Sequence, residues 1–134
     1  MCIRDRSQYG LAAGDIVYTN GTYNNWCGDC NPMADADGDG IWTGTFNLTA
    51  GQQEYKFTIN GWSTDEQFDG SESCTTAPAQ YVNRVTTISG ATTLPVVCWN
   101  SCDICYDINN TTAGTGHATP VSYTHLTLPT ILRV

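Results

Sequence analysis

Over residues 54–60 the chain alternates residue by residue. Tyr55, Phe57 and Ile59 are apolar, whereas Glu54, Lys56, Thr58 and Asn60 are polar. A period of two is that of a β-strand with one face on a core and the other toward solvent, and a helix cannot satisfy it. Asn60-Gly61 ends the run with turn chemistry. The pattern recurs over 41–48, where Trp42, Phe46 and Leu48 fall on one side and Thr43, Thr45 and Asn47 on the other. Residues 15–19, 81–88 and 92–99 read as further strands, and Asn20-Gly21, Ala50-Gly51 and Ser89-Gly90 mark turns. No stretch carries a helical period and no internal repeat is visible. Short strands at this spacing predict an all-β fold, an antiparallel β-sandwich.

The chain has 134 residues, enough for one such domain. Its net charge is -8, and between residues 7 and 120 only Lys56 and Arg84 are basic, against twelve acids. That surface repels phosphate backbones and anionic lipid, so neither a nucleic acid nor a membrane partner is expected. No apolar run is long enough to span a bilayer. The module is expected to be a monomer.

The two ends differ from the middle. MCIRDR at 1–6 and VSYTHLTLPTILRV at 121–134 resemble in-frame translations of sequencing adapters, which recur at the ends of assembled environmental gene fragments. Both segments are set aside as artefacts and expected to make no native contacts. Residues 107–120 have no apolar pattern and read as linker, leaving 7–106 as the domain. No secretory leader is legible, and with foreign ends that is no evidence against secretion.

Seven cysteines are many for this length. Cys2 lies in the N-terminal foreign segment. Cys27, Cys30, Cys74, Cys98, Cys102 and Cys105 remain, an even number in a Lys-poor chain, which reads as an oxidised extracellular module. Two other chemistries compete. WCGDC at 26–30 looks like a dithiol motif, but that chemistry needs a following helix, and NPMADADGDG follows. Cys27/Cys30 and Cys102/Cys105 look like zinc knuckles, but about seventy residues separate them where ribbons use about 15–20. A disulfide framework is the favoured reading. Its connectivity stays open, with Cys27–Cys30, Cys102–Cys105 and Cys74–Cys98 as the expected pairs.

Asp35, Asp37 and Asp39 before Gly40 match the first half of a calcium loop, but Phe46 stands where the bidentate Glu is needed. A charged turn is the first reading and weak calcium binding the second; no other cofactor is implied. The two histidines, His117 and His125, lie outside the domain, so no histidine triad is available. Asp65, Glu66, Asp69 and Glu72 read as solvated loop charges rather than a glycosidase pair. The domain is expected to be non-catalytic.

Four tryptophans are more informative. Trp42 lies on the apolar face of its strand and is expected in the core. Trp62 follows Asn60-Gly61 and precedes polar residues, which predicts partial exposure. An exposed indole flanked by polar side chains suits a sugar, whose C–H face stacks on the ring while its hydroxyls bond the polar groups.

Five motifs then fall in order: NGTYNNW at 20–26, DGDGIW at 37–42, EYKF at 54–57, NGW at 60–62 and VNRV at 82–85. In this the chain resembles the glycogen-binding domain family of the AMP-activated kinase β-subunit and of branching and debranching enzymes. It is more similar still to a cysteine-containing variety in secreted Bacteroidetes proteins. The resemblance implies an immunoglobulin-like sandwich of the starch- or glycogen-binding kind, lacking its first strand here. It also implies a carbohydrate-binding site made by Trp26, Lys56, Trp62 and Asn83. The expected partner is a polysaccharide, an α-glucan or a β-glucan, bound by a secreted or cell-surface protein. A structural spacer of an extracellular protein is the competing function.

Overall fold

A computed structural model describes residues 11–104 and the backbone of Thr130–Arg133. The strands are β1 (Val17–Gly21), β2 (Thr43–Phe46), β3 (Gly51–Ile59), β4 (Thr64–Asp65), β5 (Arg84–Ile88) and β6 (Thr130–Arg133). A single 3-10 turn, Thr22–Asn24, follows β1. The fold is all-β and antiparallel, and sandwich-like.

The alternating segment forms the central strand. Tyr55 pairs with Gly21 of β1 on one side and Arg84 of β5 on the other, and Thr58 likewise lies between Tyr18 and Asp65 of β4. So β1 lines one edge of β3, while β4 and β5 share the other. β2 pairs with β6 in a second, two-stranded sheet. The core lies between the two sheets. Val17, Tyr55, Phe57 and Ile59 from the larger sheet meet Trp42 and Phe46 from the β2 side, with Leu11, Met33 and Trp99 around them. Burying each such side chain contributes about 1.5–3 kcal/mol. Trp42 is in the core as its strand pattern required. Burial also pushes the Tyr55 phenol up to about 12.

Register puts the remaining residues of β3 on the opposite face. Lys56 and Thr58 pair with Asn20 and Tyr18, whereas the core residues pair with Val17, Thr19 and Gly21. At Gly21 the crowding is severe: a Cβ there would overlap the Glu54 carbonyl and come within 2.9 Å of the Tyr55 Cβ.

Three expectations change. Residues 92–99 form no strand; Pro95 supplies no N–H for a ladder, and only single bridge residues appear there, Thr93 and Val97, the latter opposite Ile104. The strand expected over 81–88 begins at Arg84. The C-terminal segment was expected to make no native contacts, yet Thr130–Arg133 pairs with all four residues of β2. Backbone bonding explains this, because an open strand edge accepts any extended segment rich in aliphatic and β-branched residues. Residues 1–6, the linker at 107–120 and Cys105 lie outside the described residues.

Candidate functional site

The outer face of the larger sheet, turned away from the core, carries a groove of about 780 Å3. Its floor is β3, through Glu54 and Lys56. Trp62 rises where β3 ends and Asp65 from β4 beside it. Trp26 enters from the loop after β1, and Asn83 from the residue before β5. All four residues that the sequence proposed for binding, Trp26, Lys56, Trp62 and Asn83, therefore line one groove.

The aromatic part is a pair. The Trp26 and Trp62 ring centroids are 6.3 Å apart with their planes inclined by 34°. Trp62 is 47% exposed, and Trp26 is half-buried. The Trp62 Nε1 donates to the Trp26 carbonyl at 3.3 Å. The polar part is pre-bonded. Lys56 Nζ lies 3.0 Å from Asp65 Oδ2, and Asn83 Nδ2 donates to Glu54 Oε2 at 3.0 Å. Each pair keeps further donor or acceptor positions for a ligand in the groove. Lys56 is only 8% exposed, so its ammonium reaches the groove from below.

Tyr81 was missed by sequence reasoning. It was assigned to a strand, but it lies in the loop before β5, is 71% exposed and lines the groove. Its neighbour Gln80 also lines the groove and donates to the Tyr81 hydroxyl at 3.3 Å. The available signal was Pro78 a few residues earlier, a turn residue that delays strand entry.

A family model for the pullulanase X25 domain matches residues 10–95, well over half of the chain. The chain belongs to that family. No curated protein matches it, and no solved structure does. The X25 domain is a carbohydrate-binding-like, non-catalytic accessory module of pullulanases. The match spans the strands around the groove and ends at Pro95, before Cys98 and Cys102.

The described cysteines of this X25 domain are oxidised. Cys27–Cys30 is a disulfide as expected, while Cys74 bonds Cys102 rather than Cys98. Cys98 is disulfide-bonded as well. The expected Cys74–Cys98 and Cys102–Cys105 pairs are therefore corrected. Ser101 N donates to Cys98 O, and Cys98 N to Asp103 O, folding 97–104 into a tight hairpin. That hairpin carries Cys102 alongside Cys74, with their Cα atoms 5.6 Å apart.

The loop acids have structural partners. Glu66 is fully buried and chelates Arg84, itself 1% exposed, with Arg84 Nε 2.8 Å from Glu66 Oε2. Glu66 also accepts from Phe57 N at 3.1 Å and Asn100 N at 3.1 Å. Arg84 Nη2 reaches Cys98 O and Ser101 O, each at 2.9 Å, and the guanidinium lies over the Phe57 and Phe68 rings. Desolvation works against the Arg84 charge, but hydrogen bonds and attraction from Glu66 outweigh it and hold its pKa above the ordinary value. Glu72 accepts from Gly70 N, and Asp69 from Ser71 N.

Asp35, Asp37 and Asp39 bring carboxylate oxygens within 4.8 Å of one another. They accept from Gly40 N, Asp39 N and Ile41 N respectively, which is the bonding of a charged turn. The Asp39 carboxyl is held above its ordinary range, first by desolvation and then by its aspartate neighbours, while Asp37 is held below by its backbone hydrogen bonds.

Proposed function

We propose that this X25 domain is the glycan-binding module of a secreted or cell-surface protein, and that it holds a glucan in the outer groove. Sugar rings stack on Trp26 and Trp62, while Lys56 and Asn83 bond the hydroxyls. The observation that carries this reading is the convergence of two partly exposed indoles with Lys56 and Asn83 in one groove. A spacer would bury or scatter its tryptophans.

The inclination of the indoles favours an α-glucan. Two faces set at 34° present a bent surface, which a coiling α-linked chain follows better than a flat β-1,4 ribbon does. Pullulan, the polysaccharide in the family's name, is itself an α-glucan. The glycogen-binding resemblance and the disulfides, which suit an oxidising compartment, support the same reading. Tyr81 adds a third aromatic side chain to the groove lining. Its small area and the entropy of ordering a glycan predict weak binding, on the order of micromolar to millimolar.

The test is retention on immobilised glycogen, starch, laminarin and cellulose. The native domain is expected to bind glycogen and starch ahead of cellulose, the flat β-1,4 ribbon. Trp62→Ala is expected to lose about 1–3 kcal/mol of binding, or about five- to 150-fold in affinity, while staying folded. A native domain retained by none of these glycans sinks the reading. So does a folded Trp62→Ala variant that binds as well as the native domain.

A further inference from the structure

The loop that presents Trp26, and on which Trp62 rests, is held in a conformation that a tryptophan disfavours. Leaving the 3-10 turn, Asn25 and Trp26 take φ values of 54° and 57°. A bulky L-residue enters this left-handed region only where its surroundings enforce it. Here three restraints converge on Gly28, two residues further on. The Asn20 side chain, fully buried, takes both backbone polar groups of that glycine. Its Nδ2 donates to Gly28 O at 3.0 Å and its Oδ1 accepts from Gly28 N at 2.6 Å. The same Nδ2 donates to Thr58 Oγ1 at 2.9 Å, which ties the loop to β3. The Cys27–Cys30 disulfide closes the chain around Gly28, with both cysteines exposed. Finally, the Trp62 ring rests on Gly28, where a Cβ would come within 3.2 Å of Trp62 Cδ1 and 3.4 Å of Nε1.

Each restraint acts on an indole. Gly28 supplies the bare backbone on which Trp62 lies, and its φ of 99° is one that other residues rarely adopt. The Trp26 carbonyl receives the Trp62 Nε1, so the backbone twist at Trp26 sets where Trp62 stands. We propose that Asn20, Gly28 and the Cys27–Cys30 disulfide are positioning elements of the groove: they fix the inclination between Trp26 and Trp62 and so set the domain's glycan affinity. The consequence for affinity rests on the glycan reading above; the consequence for the indole pair does not. The bridge has no comparable part in the core, because the buried ion pair and the Cys74–Cys102 disulfide lie elsewhere in the fold.

The test uses the whole chain, as Cys27→Ser/Cys30→Ser and, separately, Gly28→Ala. Two readouts follow the indole pair without any glycan. One is the exciton couplet of Trp26 and Trp62 in circular dichroism, isolated by subtracting the Trp62→Phe spectrum. The other is the Trp62 indole N–H resonance. Both variants are expected to melt cooperatively, lose the couplet, shift the resonance and lose about tenfold or more in retention on glycogen. Gly28→Ala leaves the bridge intact, so it decides the matter if the serine variant fails to fold. A couplet and resonance unchanged in the folded variants overturn the proposal. So does a lost couplet with undiminished retention. A native domain that binds no glycan defeats the functional reading, while a couplet lost in the variants still upholds the positioning role.

Discussion

Lys56 and Arg84 sit in neighbouring strands of one sheet, and each is paired with a carboxylate from consecutive residues, Asp65 and Glu66. Consecutive residues of an extended segment point to opposite faces, so this one stretch supplies one acid to each side of the sheet. On the groove side the Lys56–Asp65 pair keeps contact with solvent, with side-chain exposures of 11% and 31%. On the core side Arg84 and Glu66 are almost wholly enclosed, at 2% and 0%. The buried pair joins β3, β5, the 66–74 loop and the 97–104 hairpin through main-chain bonds at its ends. The exposed pair joins only β3 and β4, and it borders the groove. Similar chemistry thus does two tasks, and burial decides which.

The comparison breaks most visibly at Glu66. Removing one partner of a buried ion pair costs about 3–5 kcal/mol, because the other charge stays enclosed without compensation. Glu66→Ala is therefore expected to lower the unfolding free energy by about that amount in urea titration at neutral pH. A loss below about 1 kcal/mol would show that solvent reaches Arg84 and that the two sides do not differ. Replacing both partners by apolar residues should not be neutral here, because Glu66 also receives the Phe57 and Asn100 amides, which would lose their acceptor.

The next effect belongs to the Cys74–Cys102 bridge, which closes a separation of 28 residues that contains Arg84. Constraining an unfolded loop of that size contributes about 3–4 kcal/mol. Cys74→Ala/Cys102→Ala is expected to lower the melting temperature by at least about 10 °C. It should leave the Trp26–Trp62 couplet in place, since the groove is braced separately. Loss of that couplet in a folded double variant would join the two regions into one unit.

The groove side was far more legible in the sequence than the core-side ion pair. Period-two alternation over 54–60 located the central strand and sent Lys56 off the apolar face, and NGW placed a partly exposed Trp62 at its end. The family-like motifs gathered Trp26 and Asn83 to the same groove. Arg84 left no such trace. A cation in an amphipathic strand reads as a solvent-facing residue, yet its pairing with Tyr55 puts it on the core face. Glu66 looked like one of four interchangeable loop acids, because charge carries no signal of which partner will enclose it. The disulfide pairing failed for a related reason. Spacing favours near neighbours, whereas the 97–104 hairpin, pinned by Arg84 at Cys98 O and Ser101 O, delivers Cys102 to Cys74. Tyr81 was hidden by its β-favouring type, which fits a strand or an exposed lining equally well.

The smallest stability effect is expected at Lys56. Its partner Asp65 is about a third exposed, so water competes for that carboxylate and screens the pair. Lys56→Met keeps most of the aliphatic stem that packs against the sheet and removes the charge. It should lower the unfolding free energy by under about 1 kcal/mol in the same urea titration. The freed Asp65 carboxylate turns toward solvent rather than remaining trapped, which is what distinguishes it from an orphaned Arg84. Retention on glycogen should nevertheless fall several-fold, because the ammonium borders the groove where hydroxyls are received. A loss near that of Glu66→Ala would mean that the Lys56 pair is as enclosed as the Arg84 pair, and the division between a bracing face and a binding face would be wrong. Unchanged stability together with unchanged retention would leave the bracing face intact and remove Lys56 from the groove's binding groups, shifting recognition onto the indoles and Asn83.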